Sequence, residues 1–397
     1  MSIHLLFISS YCEKSDFNYI RKASLKKPRE TGQKYLSLFV NGLKENNIET
    51  LYISEPPINR DIIKKRWFRL KKRKSKDIEI EYIPICNFFI LKNLVTFFSS
   101  ILKILKILKK HKNEEIVFFI DALGISLSLG AIISSKIKNK KIIGLVTDIP
   151  TISAQKSNIV KKFNFYLLRL YDGYVFLTPE MNSVINNKKK PFIVIEGSAD
   201  IALSRTPNQF DKNNTNKRIC LYAGGLYYIY GIIDLIEAFL KANVMNSELH
   251  LYGAGDCEKE IIEYSKKNKN IKYFGMVPNE EIVKAECEAT LLVNPRPSNK
   301  LYTQYSFPSK TIEYMASGTP VLTTKLPGIP EDYYPYLFFI EKENVEELSI
   351  QLNMILNLPS ENLKRIGNDA KKFVLKEKNN VKQCKKLIGL IENVQKS

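Results

Sequence analysis

The sequence has few of the residues that build metal sites and disulfide frameworks. Its 397 residues include three His, six Cys and one Trp, and the Cys residues show neither a C-x-x-C motif nor paired spacing. Structural zinc sites and disulfide scaffolds depend on such spacings, so we expect neither. Unpaired Cys residues fit a reducing cytoplasm better.

Long apolar runs and a common nucleotide motif are also missing. No uncharged run of about 20 apolar residues occurs, so nothing is predicted to span a bilayer. The apolar run at residues 3–8 is too short for a secretory signal. There is no Gly-x4-Gly-Lys-Ser/Thr loop, so the sequence does not support an NTPase. Any membrane contact is therefore expected to be peripheral.

Acidic residues are scarce in the first half of the chain. Residues 1–200 contain 35 Lys and Arg against 18 Asp and Glu, whereas the remainder contains 26 against 23. This asymmetry indicates that the first half meets something anionic, either nucleic acid or an acidic membrane. No nucleic-acid-binding motif accompanies the charge, so we expect no nucleic-acid partner.

The length and apolar patterning predict two α/β domains. Apolar runs of strand length alternate with amphipathic stretches in both halves, as in doubly wound parallel sheets. We predict a first domain, a second domain and a C-terminal helix at residues 1–203, 204–376 and 377–397, with a polar linker at 204–217.

The first half offers candidate residues at predicted strand ends. Asp121 and Asp148 each follow a buried strand, where open α/β sheets bind ligands. Either can handle an acceptor hydroxyl, or it can simply cap the next helix or turn. Residues 10–30 are predicted to form a loop, after which Gly32 lies where a helix opens.

Two stretches of the first half favour a lipid surface. Residues 60–76 contain ten Lys and Arg interleaved with aromatic and aliphatic residues, and we predict that this run faces an anionic membrane. Residues 93–110 form an amphipathic helix whose apolar stripe either packs on the sheet or lies on lipid. The stripe consists of Leu94, Phe98, Ile101, Leu105 and Leu108.

The second half repeats the strand–turn–helix pattern. A predicted strand ends in a tight turn at Gly224 and Gly225, and a helix follows at residues 231–241. Arg296 follows another strand, where its guanidinium can bind a phosphate with two hydrogen bonds or lie in a surface loop.

One stretch, residues 306–322, is the most informative. Pro308 and Ser309 favour the start of a helix, and Gly318 favours its end. Lys310 and Glu313 then lie one turn apart on the same face. A helix N-terminus with a cation and a carboxylate suits the phosphates and ribose of a nucleoside diphosphate.

This stretch resembles the donor-binding signature of glycosyltransferase family 4, Glu-x7-Glu followed by Gly-x-Pro and a strand. Glu313 matches the second Glu, which holds the donor ribose in that family, and Tyr305 stands where the first Glu is expected. The family's two diphosphate-binding cations are replaced here by Gly225 and Tyr230, so Arg296 and Lys310 are the predicted substitutes.

The resemblance implies a GT-B fold, with two Rossmann-like domains facing a cleft and a C-terminal helix crossing back to the first. In that family a glycine after the first strand approaches the donor phosphates, and Gly32 holds that place. The missing Asp-x-Asp motif fits metal-independent transfer, and no cofactor is expected.

The resulting expectation is a retaining glycosyltransferase that uses a nucleotide sugar, UDP-linked rather than GDP-linked. Gly224, Gly225, Ser309, Glu313 and Tyr305 would contact the donor. Its acceptor would be an anionic or lipid-linked glycan of capsule, O-antigen or exopolysaccharide synthesis, at the inner face of a bacterial plasma membrane. The alternative is a non-catalytic GT-B partner subunit, which would not bind nucleotide.

Overall fold

The computed structural model describes residues 3–26, 28, 30–74, 78–150, 157–205 and 217–397. The chain forms two compact units. Unit 1 comprises Met1–Ser198 and Asn380–Ser397, and unit 2 comprises Ala199–Asn379. Most of the predicted linker, and positions 75 and 76 of the basic run, lie outside the described residues.

Unit 1 is built on a mainly parallel sheet. In its described residues the strand order is β10-β9-β8-β7-β1-β2-β5-β4, and only β4 runs antiparallel to its neighbour. Strands β3 and β6 form a separate antiparallel pair. The strands are β1 Ile3–Ser9, β2 Thr50–Ser54, β3 Trp67–Phe68, β4 Arg73–Lys74, β5 Glu79–Tyr82, β6 Ile85–Cys86, β7 Glu115–Asp121, β8 Ile142–Val146, β9 Gly173–Phe176 and β10 Phe192–Val194. Central strands such as β7 and β8 are buried on both faces, which explains their continuous apolar sequences.

Helices cover both faces of this sheet. They are α1 Lys14–Ala23, α2 Thr31–Glu45, α3 Phe89–Lys110, α4 Ile125–Ile137, α5 Asn158–Leu168 and α6 Pro179–Ile185. The loop predicted at residues 10–30 was wrong in part, because it contains α1. The Glu13 side chain caps α1 by accepting from the Ser15 N–H, and Phe17 and Ile20 bury its inner side.

Unit 2 contains a fully parallel sheet in the order β13-β12-β11-β14-β15-β16. Its strands are β11 Arg218–Gly225, β12 Ser247–Ala254, β13 Ile271–Gly275, β14 Leu291–Asn294, β15 Val321–Thr324 and β16 Phe338–Ile340. Its helices are α7 Ile232–Ala242, α8 Glu258–Lys267, α9 Asn279–Glu288, α10 Ser309–Ser317, α11 Val345–Leu356 and α12 Ser360–Glu377. Numbered from β11, this is the 3-2-1-4-5-6 order of doubly wound nucleotide-binding sheets, with its switch point between β11 and β14.

The last helix, α13 Asn380–Lys396, belongs to unit 1. Cys384, Leu387 and Leu390 of α13 lie in the unit 1 core, and the Asn46 side chain of unit 1 donates to the Val381 carbonyl at 2.8 Å. The return of the C-terminal helix to the first half of the chain is therefore confirmed.

The structure corrects the predicted stripe of α3. Leu94 and Phe98 are exposed, whereas Thr96 and Ser100 are buried. A Cβ at Gly130 of α4 would lie 1.9 Å from Ser100 Oγ, so α3 and α4 approach closely through small residues. Large apolar side chains consequently point outward, and we call them the α3 outer face: Leu91, Leu94, Phe98 and Leu102.

The basic run at residues 60–76 also differs from expectation. Ile63, Phe68 and Leu70 lie in the unit 1 core, so the prediction that they face a membrane was wrong. Trp67 is 60% exposed. Among the described residues of the run, Lys72 forms ion pairs with Glu79 and Glu81, and Arg73 pairs with Asp16.

Candidate functional site

The structure confirms the helix predicted in residues 306–322. Helix α10 begins at Ser309, directly after Pro308, and ends at Gly318, whose φ of 86° closes the helix in the left-handed conformation. Because α10 connects β14 to the parallel β15, its N-terminus lies at the carboxyl edge of the unit 2 sheet. Ligands of open α/β sheets bind at this edge.

Lys310 and Glu313 meet on one side of α10. Lys310 Nζ lies 3.2 Å from Glu313 Oε2 and 3.8 Å from Glu286 Oε1 of α9. Glu286 is almost completely buried, so Lys310 offsets a carboxylate inside the protein. Lys310 is thus held by two carboxylates, which differs from the expected role of a cation reserved for phosphate.

Tyr314 fixes α10 against the end of β11. Its buried hydroxyl accepts from the Ala223 N–H at 2.9 Å and donates to the Ala223 carbonyl at 3.1 Å. Burial raises the pKa of Tyr314 well above its ordinary value, so the phenol stays a donor. Ala223 directly precedes Gly224, which places α10 beside the two predicted donor-binding glycines.

Gly224 and Gly225 are the last residues of β11 and not a tight turn as predicted. They pair with Gly253 and Ala254 of β12. A Cβ at Gly225 would lie 2.6 Å from the Tyr227 ring, so glycine allows an aromatic loop to pack on the strand end. This loop, residues 226–230, leads into α7.

Arg296 lies between two rings just beyond β14. Its Cζ is 4.4 Å from the centre of the Tyr230 ring and 5.8 Å from that of Tyr302. Burial raises the pKa of Tyr302, which keeps its hydroxyl protonated. Within the described part of the chain, three buried donors here have no hydrogen-bond partner: Asn294 Nδ2, Arg296 Nε and the Tyr302 hydroxyl. Such donors are suited to the oxygens of an anion.

The remaining unit 2 candidates lie close to these groups in the chain. Ser309 is exposed at the first position of α10, and Pro308, not Ser309, is the N-cap residue. Tyr305 is half-buried and ends the short 3-10 turn before α10. The structure therefore gathers Gly225, Arg296 and the N-terminus of α10 at the β11–β14 switch point.

Gly32 lies in the first turn of α2, and a Cβ there would meet no atom within 4 Å. The neighbouring Gln33 is buried and was not singled out from the sequence. Its side chain accepts from the Cys12 N–H at 2.8 Å and donates to the Ser10 carbonyl at 2.7 Å. Gln33 thus connects the N-terminus of α2 to the loop that follows β1.

Asp121 is the last residue of β7, and Asp148 follows the neighbouring strand β8. Asp121 is 7% exposed and accepts from the Leu123 N–H at 3.2 Å. Burial raises the pKa of Asp121 to about 6, with that backbone hydrogen bond opposing the rise. Asp148 is exposed after β8 and lines a pocket with Thr147.

No group of three or more His, Cys, Asp or Glu side chains among the described residues is placed to hold a metal ion. No described helix has both the length and the apolar character needed to cross a membrane.

Comparison with known proteins identifies the class. Residues 205–373 match the family model for glycosyl transferases group 1. No curated protein sequence matches the chain.

Solved structures of low sequence identity share the fold of the whole chain. The lipopolysaccharide outer core galactosyltransferase WaaB is 15% identical, with a TM-score of 0.63 over 98% of this chain and 99% of that one. Sucrose-phosphate synthase from Thermosynechococcus elongatus is 14% identical, with a TM-score of 0.67 over 99% of both chains. Anabaena HepE in complex with UDP is 13% identical, with a TM-score of 0.64 over 99% of this chain and 100% of that one.

Residues 205–373 therefore match the group 1 glycosyl transferase family, and the full-length structural matches show that the whole chain has the GT-B fold. The family resemblance and the fold class expected from the sequence are confirmed.

Proposed function

We propose that the protein transfers a sugar, with retention of configuration, from a UDP-sugar to a lipid-linked or other anionic glycan. The observation that carries this proposal is the convergence of α10, Gly225 and Arg296 at the switch point of the unit 2 sheet. The UDP complex of HepE supports the choice of nucleotide.

The leaving diphosphate is the chemical centre of the proposal. As the bond between the sugar C1 and the phosphate oxygen breaks, negative charge grows on the diphosphate and the sugar becomes oxocarbenium-like. Arg296, the Tyr302 hydroxyl and the amides at the start of α10 would stabilise that charge. Glu313 would hold the ribose hydroxyls. Lys310 would act mainly by orienting Glu313, because it pairs with that carboxylate.

The acceptor is assigned to unit 1. Asp148 would accept a hydrogen bond from the reacting hydroxyl at the carboxyl edge of the first sheet. The excess of Lys and Arg in residues 1–200 suits an anionic acceptor, as in capsule, O-antigen or exopolysaccharide synthesis. We propose no metal or other cofactor, since Arg296 and the N-terminus of α10 would supply the positive charge.

Unit 1 would also hold the protein at the inner face of a bacterial plasma membrane. The α3 outer face, Trp67 and Phe88 form the apolar part of this proposed surface, and the Arg66 guanidinium lies 5.5 Å from the Phe88 ring. Exposed lysines at the end of the same helix, Lys106, Lys109 and Lys110, complement anionic lipid headgroups.

Calorimetric titration of UDP and GDP tests the donor site. Wild type is expected to bind UDP more tightly than GDP, and Glu313→Gln is expected to weaken UDP binding at least tenfold, about 1.4 kcal/mol. The exposed Glu346→Gln on α11 is the matched control. Absence of UDP binding by wild type at millimolar concentration would overturn the proposal.

Vesicle sedimentation tests the membrane surface. Wild type is expected to bind phosphatidylglycerol vesicles and not phosphatidylcholine vesicles. Leu94→Ser with Phe98→Ser should weaken binding about tenfold or more, since burying each side chain is worth about 1.5–3 kcal/mol. Ile350→Ser with Met354→Ser, on an exposed side of α11, should leave binding unchanged. Equal losses in both pairs would contradict the assignment.

A non-catalytic partner subunit is the second candidate. It is favoured by the pairing of Lys310 with Glu286 and Glu313 and by Tyr305 at the expected first Glu. That role predicts no UDP binding, so the same titration separates the two functions.

A further inference from the structure

Cations gather at the amino edge of the unit 1 sheet, where its parallel strands begin. The turns that lead into β8, β9 and β10 lie side by side, because these strands are parallel neighbours. Residues 136–141, 169–172 and 186–191 of these turns contain eight Lys and Arg and one acidic residue. We call the eight cations the basic edge: Lys136, Lys138, Lys140, Lys141, Arg169, Lys188, Lys189 and Lys190.

Lys190 joins two of these turns. Its half-buried ammonium donates to the Arg169 carbonyl at 3.3 Å and to the Tyr171 carbonyl. Arg169 is the C-cap residue of α5, so the Lys190 charge lies at the negative end of that helix. The position of Lys190 is therefore explained by the fold, and the other cations of the edge surround it.

The cations of different turns lie close enough to repel one another. Burial lowers the pKa of Lys190, and the Asp172 carboxylate opposes that change. Three nearby lysines lower the pKa of Lys190 further, which shows that their charges are felt there: Lys136, Lys141 and Lys188. Two of these belong to the turn before β8 and one to the turn before β10.

This charge is poorly balanced within the protein. Asp172 is the one acidic residue of the three turns, and its carboxylate also accepts from the Ile142 N–H at 2.9 Å. In the part of the chain that the structure describes, the cations of the basic edge form no ion pair. By contrast, Lys72 and Lys103 elsewhere in unit 1 both pair with Glu81. An anion bound at the basic edge would offset the repulsion.

The composition of the three turns selects the kind of anion. Peripheral binding to a bilayer uses large exposed apolar side chains, and within these turns Ile137 alone is of that kind. Binding to single-stranded nucleic acid uses exposed aromatic rings, and these turns expose none. The turns before β8 and β10 are two strand spacings apart, about 10 Å. A row of cations of this length suits a linear chain that carries several carboxylates or phosphates.

We propose that the basic edge binds an anionic stretch of a glycan chain. It rests on the proposed function, because the acceptor is taken to be an anionic glycan. Asp148 follows β8, whereas the basic edge precedes it, and the five residues of β8 span about 16 Å. The edge is thus a second contact for the glycan, remote from the reacting hydroxyl, and its ligand is an oligosaccharide and not a single sugar.

Calorimetric titration with an oligogalacturonate of eight units tests the proposal. Wild type is expected to bind this octamer with an affinity that falls as salt is added, and not to bind maltooctaose, which is neutral. Combining Lys136→Gln, Lys138→Gln and Lys188→Gln should weaken octamer binding about tenfold or more, because three contacts that release counterions are lost. The Tm should not fall, since like charges are removed from exposed positions.

The matched control combines Lys266→Gln, Lys267→Gln and Lys269→Gln. These three exposed lysines lie at the amino edge of the unit 2 sheet, between α8 and β13, so the control removes the same net charge. It is expected to bind the octamer as wild type does. Equal losses in the two triple variants, or no octamer binding by wild type, would overturn the proposal.

Two other anions are compared on the same samples. Binding to phosphatidylglycerol vesicles should change no more in the unit 1 variant than in the unit 2 control, because the α3 outer face is the proposed lipid contact. An eight-nucleotide single-stranded DNA is expected to bind more weakly than the octamer. A selective loss of vesicle binding in the unit 1 variant, or tighter binding of the DNA through the same lysines, would assign the edge to lipid or nucleic acid and refute the glycan.

UDP titration separates this proposal from the proposed function. UDP binding without octamer binding would refute the role of the basic edge alone. Octamer binding that the unit 1 variant loses, without UDP binding by wild type, would support the basic edge and refute the donor assignment.

Discussion

The carboxyl edges of the two sheets differ in how their polar side chains are partnered. In unit 2, Lys310 is paired with two carboxylates and Tyr314 bonds to the Ala223 backbone. Asn294, Arg296 and Tyr302 carry donors that have no partner among the described residues. In unit 1, the pocket at the same edge is lined by the neutral polar side chains of Ser128, Asn164 and Tyr171 and by the carboxylate of Asp148. The unit 2 edge therefore offers donors suited to an anion, which the described lining of the unit 1 pocket does not.

The shared architecture makes this difference informative. In both sheets the first strand lies in the middle, β1 in unit 1 and β11 in unit 2, and later strands are added on one side of it and then on the other. Since the backbone frame is similar, the side chains at the strand ends decide which ligand binds.

We expect the largest effect on UDP binding from removing the Arg296 cation at the carboxyl edge of the unit 2 sheet. Arg296→Met is expected to weaken UDP binding by about 10- to 100-fold, since a hydrogen bond to a charged group is worth about 1.5–3 kcal/mol. Calorimetry measures the affinity, and Arg365→Met on the exposed side of α12 is the control. An unchanged affinity in Arg296→Met would remove the contrast between the two edges.

Asp121→Asn tests whether ionisation of the buried Asp121 carboxyl, at the carboxyl edge of the unit 1 sheet, lowers the stability of the protein. Because burial raises the pKa of Asp121 to about 6, the folded state holds its proton more tightly than the unfolded state between about pH 4 and 6. Stability is therefore lost as pH rises through that window. Asp121→Asn should stabilise the protein by up to about 3 kcal/mol at pH 7 and hardly at pH 3.5.

Urea unfolding of wild type and Asp121→Asn at the two pH values measures this difference. A stabilisation of equal size at both pH values would show that the effect does not come from ionisation of Asp121.

Tyr314→Phe is expected to have a smaller, local effect in unit 2. It leaves the buried N–H and carbonyl of Ala223 without their side-chain partner, which costs about 1–3 kcal/mol. The Tm should fall and UDP affinity should decline, because α10 is no longer fixed beside Gly224. Tyr264→Phe, whose hydroxyl is exposed on α8, is the control. Normal UDP affinity in Tyr314→Phe would show that this bond serves stability alone.

Local sequence signals predicted helix α10 well. Pro308 and Gly318 set the ends of α10, and the i, i+3 spacing placed Lys310 beside Glu313. Two distant contacts could not be predicted in this way. Glu286, which holds Lys310, lies on a different helix, and Ala223, which bonds Tyr314, lies 91 residues away in the chain.

Periodicity was less reliable for α3. It correctly indicated an amphipathic helix, but the small residues Thr96 and Ser100 face α4 while Leu94 and Phe98 point outward. A helical stripe shows which residues share a face and not which face the fold covers. The close approach at Gly130 decided that, and Gly130 is remote from the stripe in sequence.

The sequence by itself determined the alternation of strands and helices, the ends of α10 and the charge asymmetry of the chain. Each of these depends on neighbouring residues or on composition, since caps, turns and periodicity act within a few positions. Only the tertiary structure decided which helix face is buried, which carboxylates hold Lys310 and that Ser128, Asn164 and Tyr171 line one pocket. Those arrangements join residues far apart in the chain, and the order of the strands in each sheet, which local patterns do not specify, brings them together.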